Sequence, residues 1–286
     1  MLSILIPCYN HNITELVQAI HNQIVKTNKK FEIICVEDGS EKTFSNKEIK
    51  KLTFTKYIHS KNNLGRSRIR NFLANTATYD WLLFIDCDSK VEYEKFILKY
   101  LNSTSDKKKI IYGQTKYQKN PPEKNKTLHW KYGVKIESKK KKKIFSSHHF
   151  IIHKNAFKKI KFNEEIIDYG HEDTIFWIDL KKENYTFEFI ENPLTHIGLE
   201  TNEQYIKKTK SALKNIYLLN KKYDLKNTSI IKTHIILSKF YLNYIVLLVF
   251  NLTEKNILKN LLSGKPSLIL FQIYKMGYFF RLTKDH

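Results

Sequence analysis

Cysteine is scarce in this sequence, and the first residues do not show the pattern of a secretory leader. The three cysteines in 286 residues, Cys8, Cys35 and Cys87, each lie in or beside an apolar run. An odd number does not suit a disulfide framework, and a cysteine-based zinc site would need more tightly clustered ligands. The first residues, MLSILIPCYN, contain no basic segment and no small-residue cleavage site, so we expect no signal peptide. We therefore expect free thiols and a cytoplasmic location.

The glycine-rich loops that commonly bind phosphate are also missing. The chain has 8 glycines but neither G-x-x-x-x-G-K-[ST] nor G-x-G-x-x-G. A phosphorylated ligand would therefore have to be held by a metal ion and basic side chains.

Acidic residues are few relative to basic ones. There are 28 Asp and Glu against 50 Lys and Arg, a net charge of +22. Such a charge attracts nucleic acid, anionic lipid and phosphorylated substrates. However, Lys, Asn and Ile are abundant throughout, as in proteins from AT-rich genomes, so the charge alone names no partner. No RNA-binding signature is present, and we expect no nucleic-acid partner.

An apolar run long enough to span a membrane is lacking too. The most apolar stretch, Phe240 to Leu252, is interrupted by Asn243 and is shorter than the ~20 residues that a spanning helix needs. From Asn202 onward the pattern is helical and aromatic. These helices either pack on the rest of the protein or form an interfacial amphipathic helix on the inner face of an anionic membrane.

The first hundred residues alternate between strand and helix patterns. Strands are predicted at 2–6, 31–36, 56–59 and 81–85, and helices over 13–24, around 69–73 and over 91–101; Asn12 and Glu15 suggest a capping box for the first helix. Later, a helix is expected over 171–182 and a strand at 187–190. This alternation predicts an α/β fold with a mainly parallel sheet and helices on both faces.

The middle of the chain differs from both ends. Residues 116–143 contain KNPPEKNK and five consecutive lysines from Lys139. We interpret this segment as a solvated mobile loop; a lid or an acceptor-binding segment is the alternative.

Polar residues follow three of the predicted strands. They are Pro7 to Asn10, Glu37 to Ser40, and Asp86 to Asp88. Ligands of open parallel sheets bind beyond the carboxyl ends of the strands, so these corners should converge on one crevice. An aromatic ring can stack on a base, and two spaced carboxylates can hold a hard cation. The corners predict a site for a nucleotide whose phosphates are neutralised by a metal.

The segment NNLGRSRIRN adds positive charge to this prediction. Arg66 and Arg70 are four residues apart, so both lie on one helical face. That face could point at the crevice, although an exposed basic helix is the alternative.

Five motifs occur in order: LSILIPCYN, VEDGS, NNLGRSRIRN, FIDCDS and YGHEDTIFW. With them the chain resembles a family 2 glycosyltransferase of the GT-A fold, from Leu2 to about His196. The resemblance implies a nucleotide-sugar-binding and catalytic domain over residues 1–200. Residues 201–286 would form a helical C-terminal region that packs on it or contacts a membrane.

The resemblance also implies roles for individual residues. Pro7 and Tyr9 would flank the base, Asp38 would bind uracil, and Arg66 and Arg70 would lie near the nucleotide. Asp88, Asp86 and His196 would be metal ligands, and Asp86 would also lie near the ribose. Asp173 would be the catalytic base. Glu172, beside it, would lie near the sugar or acceptor hydroxyls.

Two departures from the family pattern concern Glu37, where many relatives have Asp, and the residues before Glu172. His148 and His149 in SSHHF could contact the donor sugar or the acceptor, or simply begin a strand. Cys87 should point back toward the core.

The implied activity is inverting transfer of a sugar from a nucleotide-sugar, a UDP-sugar, to an acceptor hydroxyl in surface glycan or polysaccharide synthesis. The acceptor would be a glycan or a lipid-linked glycan, and Mn²⁺ or Mg²⁺ would assist. Two other functions stay open: a sugar nucleotidyltransferase, which PCYNHN in place of a glycine- and arginine-rich loop disfavours, and a non-catalytic protein that binds polyanions or membranes.

Overall fold

A computed structural model describes residues 1–42, 44–139, 145–167, 169–226 and 228–284. These residues form two compact units. The first comprises Met1–Gln118, Ser138–Ile167 and Glu172–Gly198, and the second comprises Lys119–Glu137, a short stretch ending at His171, and the helices from Leu199 onward.

The first unit is built on a sheet that has eight strands in the described part of the chain. In chain order they are β1 (Leu2–Cys8), β2 (Phe31–Asp38), β3 (Thr55–Ser60), β4 (Trp81–Ile85), β5 (Ser89–Lys90), β6 (Lys109–Tyr117), β7 (His149–His153) and β8 (Thr186–His196). Their order across the sheet is β3-β2-β1-β4-β7-β6-β8-β5. Pairing is parallel from β3 to β4 and between β6 and β8, whereas β7 runs antiparallel to β4 and β6, and β5 to β8. The sheet is therefore mixed.

The described residues also form ten α-helices. They are α1 (Thr14–Ile24), α2 (Arg66–Thr76), α3 (Phe96–Asn102), α4 (Thr127–Tyr132), α5 (Lys154–Lys159), α6 (Glu172–Lys182), α7 (Asn202–Leu219), α8 (Ser229–Lys239), α9 (Asn243–Leu261) and α10 (Leu268–Lys284).

Apolar side chains cover both faces of the sheet. Successive residues of a strand point to opposite faces. In β4, Leu83 and Ile85 therefore join a core that contains Val17 of α1, whereas Leu82 and Phe84 join a separate core that contains Leu73 of α2. This arrangement confirms the predicted α/β architecture with helices on both faces.

Two local predictions are wrong. Helix α1 begins after Ile13 without a side-chain cap, because the Asn12 carboxamide oxygen accepts a hydrogen bond from the backbone N–H of Thr14 (3.0 Å) instead of closing a box with Glu15. Helix α3 begins at Phe96 rather than at 91. In each case the apolar pattern identified the helix but local hydrogen bonding set its start.

The segment 116–143 is more ordered than the predicted loop. Its first residues end strand β6, and Thr127–Tyr132 forms α4, which a π-helical turn extends to Glu137. Most of the lysine run, residues 140–143, lies outside the described residues, so the lid alternative stays a prediction.

The second unit is held together by close helix packing. At α10, a Cβ on Gly277 would come within 2.2 Å of the Phe250 ring of α9, so only glycine allows this approach. Among the described residues, no single helix is both long and apolar enough to cross a bilayer; α8 and α9 meet that criterion only as a pair bent by 115°.

Candidate active site

The loops that follow β1 and β2 are joined to each other. The backbone N–H of Asn10 donates to the Ser40 hydroxyl (2.7 Å), and the Asn10 side-chain oxygen accepts from the backbone N–H of Lys42 (2.9 Å). In the parallel pair, Pro7 lies opposite Val36. Tyr9 is 45% exposed, so its ring is accessible to a ligand.

Asp38 connects the end of β2 to the turn before α2. Its two carboxylate oxygens accept from the backbone N–H groups of Leu64 (2.6 Å) and Gly65 (3.1 Å). Burial raises the pKa of Asp38, and these two hydrogen bonds oppose that effect. A carboxylate can accept about four hydrogen bonds, so Asp38 keeps capacity for a base N–H. Sequence reasoning missed its second role, which is to place α2.

The carboxylate of Glu37, in contrast, is occupied by hydrogen bonds within the protein. It accepts from the Asn46 side-chain amide (3.0 Å), the Tyr57 hydroxyl (2.7 Å) and the Ser40 hydroxyl. It is buried, and we assign it a structural role.

A buried ion pair joins α2 to the end of β4. The Arg70 guanidinium, 2% exposed, donates to Asp86 Oδ1 (2.6 Å), and it also donates to the backbone carbonyl of Arg66 (3.1 Å). Charge-assisted bonds of this kind are strong and directional. The structure therefore places Arg70 and Asp86 together, and their position near a nucleotide stays a prediction.

Arg66 connects this pair to the start of α6. Its Nε lies 2.7 Å from the Glu172 carboxylate, and its NH2 group lies 3.7 Å from Asp86 Oδ2. Arg66 is about half exposed, whereas Glu172 is buried. The alternative of an exposed basic helix does not hold for Arg70, which is buried; Arg66 is exposed, but both arginines face carboxylates.

Asp88, His148 and His196 form a cluster that could hold a cation. One ligand atom from each lies within 4.8 Å of the others, and His196 Nδ1 lies 3.4 Å from Asp88 Oδ1. The cluster arises because β5 pairs with the end of β8, which sets Ser89 opposite His196, and because the backbone N–H of Asp86 donates to the carbonyl of His148 (2.9 Å). Asp86, bound to Arg70, is not a member of this group.

Three further observations show that Asp88 fits the role of a metal ligand. Its Oδ1 atom is buried and accepts no regular hydrogen bond from the described residues. Although burial acts against ionisation, the nearby His196 holds the pKa of Asp88 well below its ordinary value, so the carboxylate is charged. A Cβ on Gly198 would come within 2.5 Å of Asp88 Oδ2, so the glycine leaves room for this carboxylate.

His148 is the residue of this cluster that sequence reasoning did not assign to metal. Its two ring nitrogens lie 3.0 Å from the hydroxyls of Ser89 and Thr115. Burial, and then His149 and His196, lower its pKa, so the imidazole is neutral. A neutral imidazole can bind a metal through one nitrogen while a hydroxyl accepts the N–H of the other and fixes the ring.

The adjacent His149 points the other way. Its Nδ1 lies 2.7 Å from the buried Tyr100 hydroxyl, and burial lowers its pKa to about 4. Strand alternation explains the difference, because neighbours at the start of β7 face opposite sides. In SSHHF, His149 therefore begins a strand and packs in the core, whereas His148 lies in the cation cluster.

Asp173 lies in the first turn of α6. Burial, and then the charge of Glu172, raise its pKa to about 6. A carboxyl group that titrates near neutrality suits general-base catalysis. Arg66 and Arg70 are among the charges that act on it, which places it near the network described above.

His11 was not predicted as a site residue. Its carbonyl accepts from the Asn46 side chain (2.9 Å) and from the Cys8 thiol (3.3 Å), and Asp88 and His196 are the charges that act on its imidazole. The only sequence signal for His11 was its position in the polar segment PCYNHN, which follows strand β1. Cys87 packs against the core, as predicted, and all three cysteines are free.

Comparison with known proteins places this chain among glycosyltransferases. The sequence model described as Glycosyl transferase family 2 matches residues 3–167. An uncharacterized glycosyltransferase of Rickettsia felis is 31% identical over 125 residues, which are 41% of this chain and 19% of that protein. The match thus spans about a fifth of the length of this relative.

Solved structures share the fold. A mannosyltransferase from Pyrobaculum calidifontis, in complex with GDP-Man and Mn²⁺, has a TM-score of 0.53 at 11% identity and covers 74% of this chain and 61% of its own. GalNAc-T7 with UDP, GalNAc and Mn²⁺ has a TM-score of 0.54 at 14% identity and covers 70% and 43%. The fold is therefore of the GT-A type.

Proposed function

The chain belongs to glycosyl transferase family 2, and from that membership we propose that it transfers a sugar from a UDP-sugar to an acceptor hydroxyl with inversion at the anomeric carbon. The acceptor we propose is a glycan or a lipid-linked glycan of surface polysaccharide synthesis. The observation that supports this best is that the two aspartates of the D-x-D pair have different partners. Asp86 is bound to Arg70, whereas Asp88 faces two histidines.

The site therefore offers a diphosphate two kinds of positive charge, arginine side chains and a bound cation. Arg66 and Arg70 supply fixed charge on α2, and a divalent cation held by Asp88, His148 and His196 would stabilise the negative charge that develops on the leaving diphosphate. Two imidazoles and one carboxylate suit Mn²⁺ better than Mg²⁺, which prefers oxygen ligands. We therefore propose Mn²⁺.

The nucleoside end would bind at the ends of β1 and β2. Tyr9 offers an exposed ring for the base, Pro7 precedes it, and Asp38 has unused acceptor capacity for the N–H of uracil. Asp86 would lie near the ribose. We propose UDP rather than GDP because Asp38 resembles the acid that binds uracil in this family.

Asp173 would act as the general base. As the acceptor oxygen attacks the anomeric carbon, its proton passes to the Asp173 carboxylate, and the bond to the diphosphate oxygen breaks on the opposite face of the sugar. Inversion follows from this single displacement. Glu172, held by Arg66, would contact hydroxyls of the sugar or acceptor.

Asp173→Asn tests this proposal. The substitution keeps the size of the side chain but removes the base, so we expect transfer to fall roughly 10²–10⁴-fold while UDP affinity, measured by calorimetry with Mn²⁺, stays near that of the unaltered chain. Asp179→Asn, the same change later on α6, is the matched control and should leave transfer unchanged.

Two results would contradict the proposal. Equal turnover by the Asp173→Asn variant would remove Asp173 from the base role. Release of pyrophosphate from a nucleoside triphosphate and a sugar phosphate, without hydrolysis or transfer of any nucleotide-sugar, would instead identify a nucleotidyltransferase.

A further inference from the structure

Helix α9 carries two faces of different character. Its inner face is buried by Leu247, Phe250, Ile257 and Leu261. Its outer face carries apolar side chains that nonetheless remain exposed to solvent: Tyr244 (68%), Ile245 (57%), Leu248 (61%), Val249 (49%) and Leu252 (75%). Isolated exposed apolar residues are common, but a contiguous row of them is typical of an interaction surface.

The bend between α8 and α9 extends this row. Phe240 and Tyr241, which connect the two helices, are 69% and 82% exposed. We call the surface formed by these two residues and the exposed row of α9 the apolar elbow. The chain bends by 115° between the two helices, and the elbow lies at this bend.

The charges around the apolar elbow have one sign. Residues 229–262 contain four lysines, Lys232, Lys239, Lys255 and Lys259, and a single acid, Glu254. Glu254 is bound to Arg281 of α10 (2.8 Å). At 100° per residue, Lys255 and Lys259 fall on the same side of α9 as Leu248 and Leu252, one to two turns further along. The outer face of α9 is therefore apolar at its start and basic toward its end.

We propose that the apolar elbow docks onto an anionic phospholipid surface, with its aromatic and aliphatic side chains in the interfacial layer and Lys255 and Lys259 at the headgroups. Interfacial helices bind through buried apolar area together with attraction to anionic lipid. Each lysine near such a surface adds to the attraction, and tyrosines favour the interface because one end is polar. A second copy of the chain fits this surface less well, since it would bring the same positive charges.

The surface is separable from the fold. Because the outer side chains of α9 are exposed while the inner ones hold the helix against α10, polar substitutions outside should leave the unit folded. The docking also does not depend on the proposed transfer reaction, so vesicle binding can be measured without a donor and its failure would leave the transferase proposal untouched.

The test is cosedimentation of the full chain with phosphatidylcholine vesicles, with and without phosphatidylglycerol. We expect binding to the anionic vesicles that weakens at high salt, and at least about a tenfold lower partition coefficient for Leu248→Ser/Leu252→Ser. The control is Leu98→Ser, an equally conservative change at an exposed leucine of α3. For the charge, Lys255→Gln/Lys259→Gln should weaken binding more than Lys26→Gln/Lys29→Gln, which removes the same net charge elsewhere.

A probe in the elbow covers the case in which the serine variant misfolds. Leu248→Trp keeps the site apolar, and its emission should shift to the blue on vesicle binding and be quenched by brominated lipid, whereas Leu98→Trp should not respond. Equal binding by the leucine variants and their control, an unresponsive Trp at 248, or a dimer in solution with no vesicle binding would each overturn the proposal.

Discussion

At the scale of single residues, the acids of the site differ in what neutralises them. Asp86 faces Arg70, Asp88 faces two histidines, and Asp173 faces another acid, Glu172. The pKa of Asp88 is therefore held low, whereas burial raises the pKa of Asp86 even though Arg70 and Arg66 oppose that effect, and Asp173 titrates near neutrality. A base must be deprotonated before it can accept a proton, so activity should rise with pH through the pKa of Asp173, about 6.

Glu172→Gln should shift this rise toward lower pH. Removing the negative charge of Glu172 destabilises protonated Asp173 relative to the carboxylate, so the pKa of Asp173 falls. The measurement is the acidic limb of kcat/KM against pH. Glu183→Gln, at an exposed acid directly after α6, is the control and should leave the limb in place. A limb that stays unchanged, or moves to higher pH, would show that another group sets it.

His148→Ala tests the cation cluster at the same scale. Loss of one of three protein ligands should lower Mn²⁺ affinity by tenfold or more, by analogy with the roughly 10–100-fold losses caused by weaker, outer-shell changes. Calorimetric titration of the chain with Mn²⁺ measures this without any turnover. His59→Ala, an exposed histidine on β3, should bind as the unaltered chain does. Equal affinity for both variants would exclude His148 as a ligand.

The sequence predicted some of these residues and not others for a physical reason. Asp86, Asp88 and Arg70 follow or lie on elements with clear apolar patterns, so their approximate place could be inferred from the strand-end rule. His148 joins the cluster only because β7 inserts antiparallel beside β4. That long-range pairing leaves no local pattern in the sequence. The sequence could therefore suggest that His148 contacts the donor sugar or the acceptor, but not that it lies beside Asp88 and His196.

At the scale of elements, the site depends on how β2 holds α2. Asp38 accepts from the turn before the helix, and Gly39 adopts a left-handed φ of 63° with the backbone of Asn62 and Asn63 packed against it. The position of both arginines therefore follows from the end of a strand. Apolar periodicity predicted β2 and α2, but not this connection, because it is made by backbone groups.

Gly39→Ala should disrupt this junction more than Gly65→Ala. A Cβ at residue 39 would lie 2.5 Å from the backbone nitrogen of Asn63, whereas nothing lies within 4 Å of one at residue 65. Both positions have positive φ, so both variants carry the backbone strain, on the order of 1–3 kcal/mol. Only Gly39→Ala adds a steric clash. Urea denaturation should show the larger loss of stability for Gly39→Ala, and a larger loss for Gly65→Ala would contradict the close-approach argument.

At the scale of the whole molecule, the two units divide the properties of the sequence between them. The first four motifs, the acids of the site and the cation cluster lie in the first unit, and the exposed apolar elbow lies in the second. The positive charge is spread over both, in agreement with the view that composition alone names no partner. The boundary near residue 200 stays a prediction from the sequence; in the structure, residues 119–137 group with the C-terminal helices because α4 packs on α7.

Ligand binding should stabilise the chain most when nucleotide and cation are present together. A ligand at about 100 times its Kd adds about 2.7 kcal/mol, which raises Tm by several degrees at roughly 2–4 °C per kcal/mol for a unit of this size. Because a diphosphate and Asp88 would share the cation, UDP with Mn²⁺ should raise the Tm more than the sum of the two alone. Asp88→Asn should remove that excess while UDP without metal gives the same small shift in both chains. A larger shift with GDP than with UDP would overturn the uracil assignment, and no shift with any nucleotide would overturn the donor site.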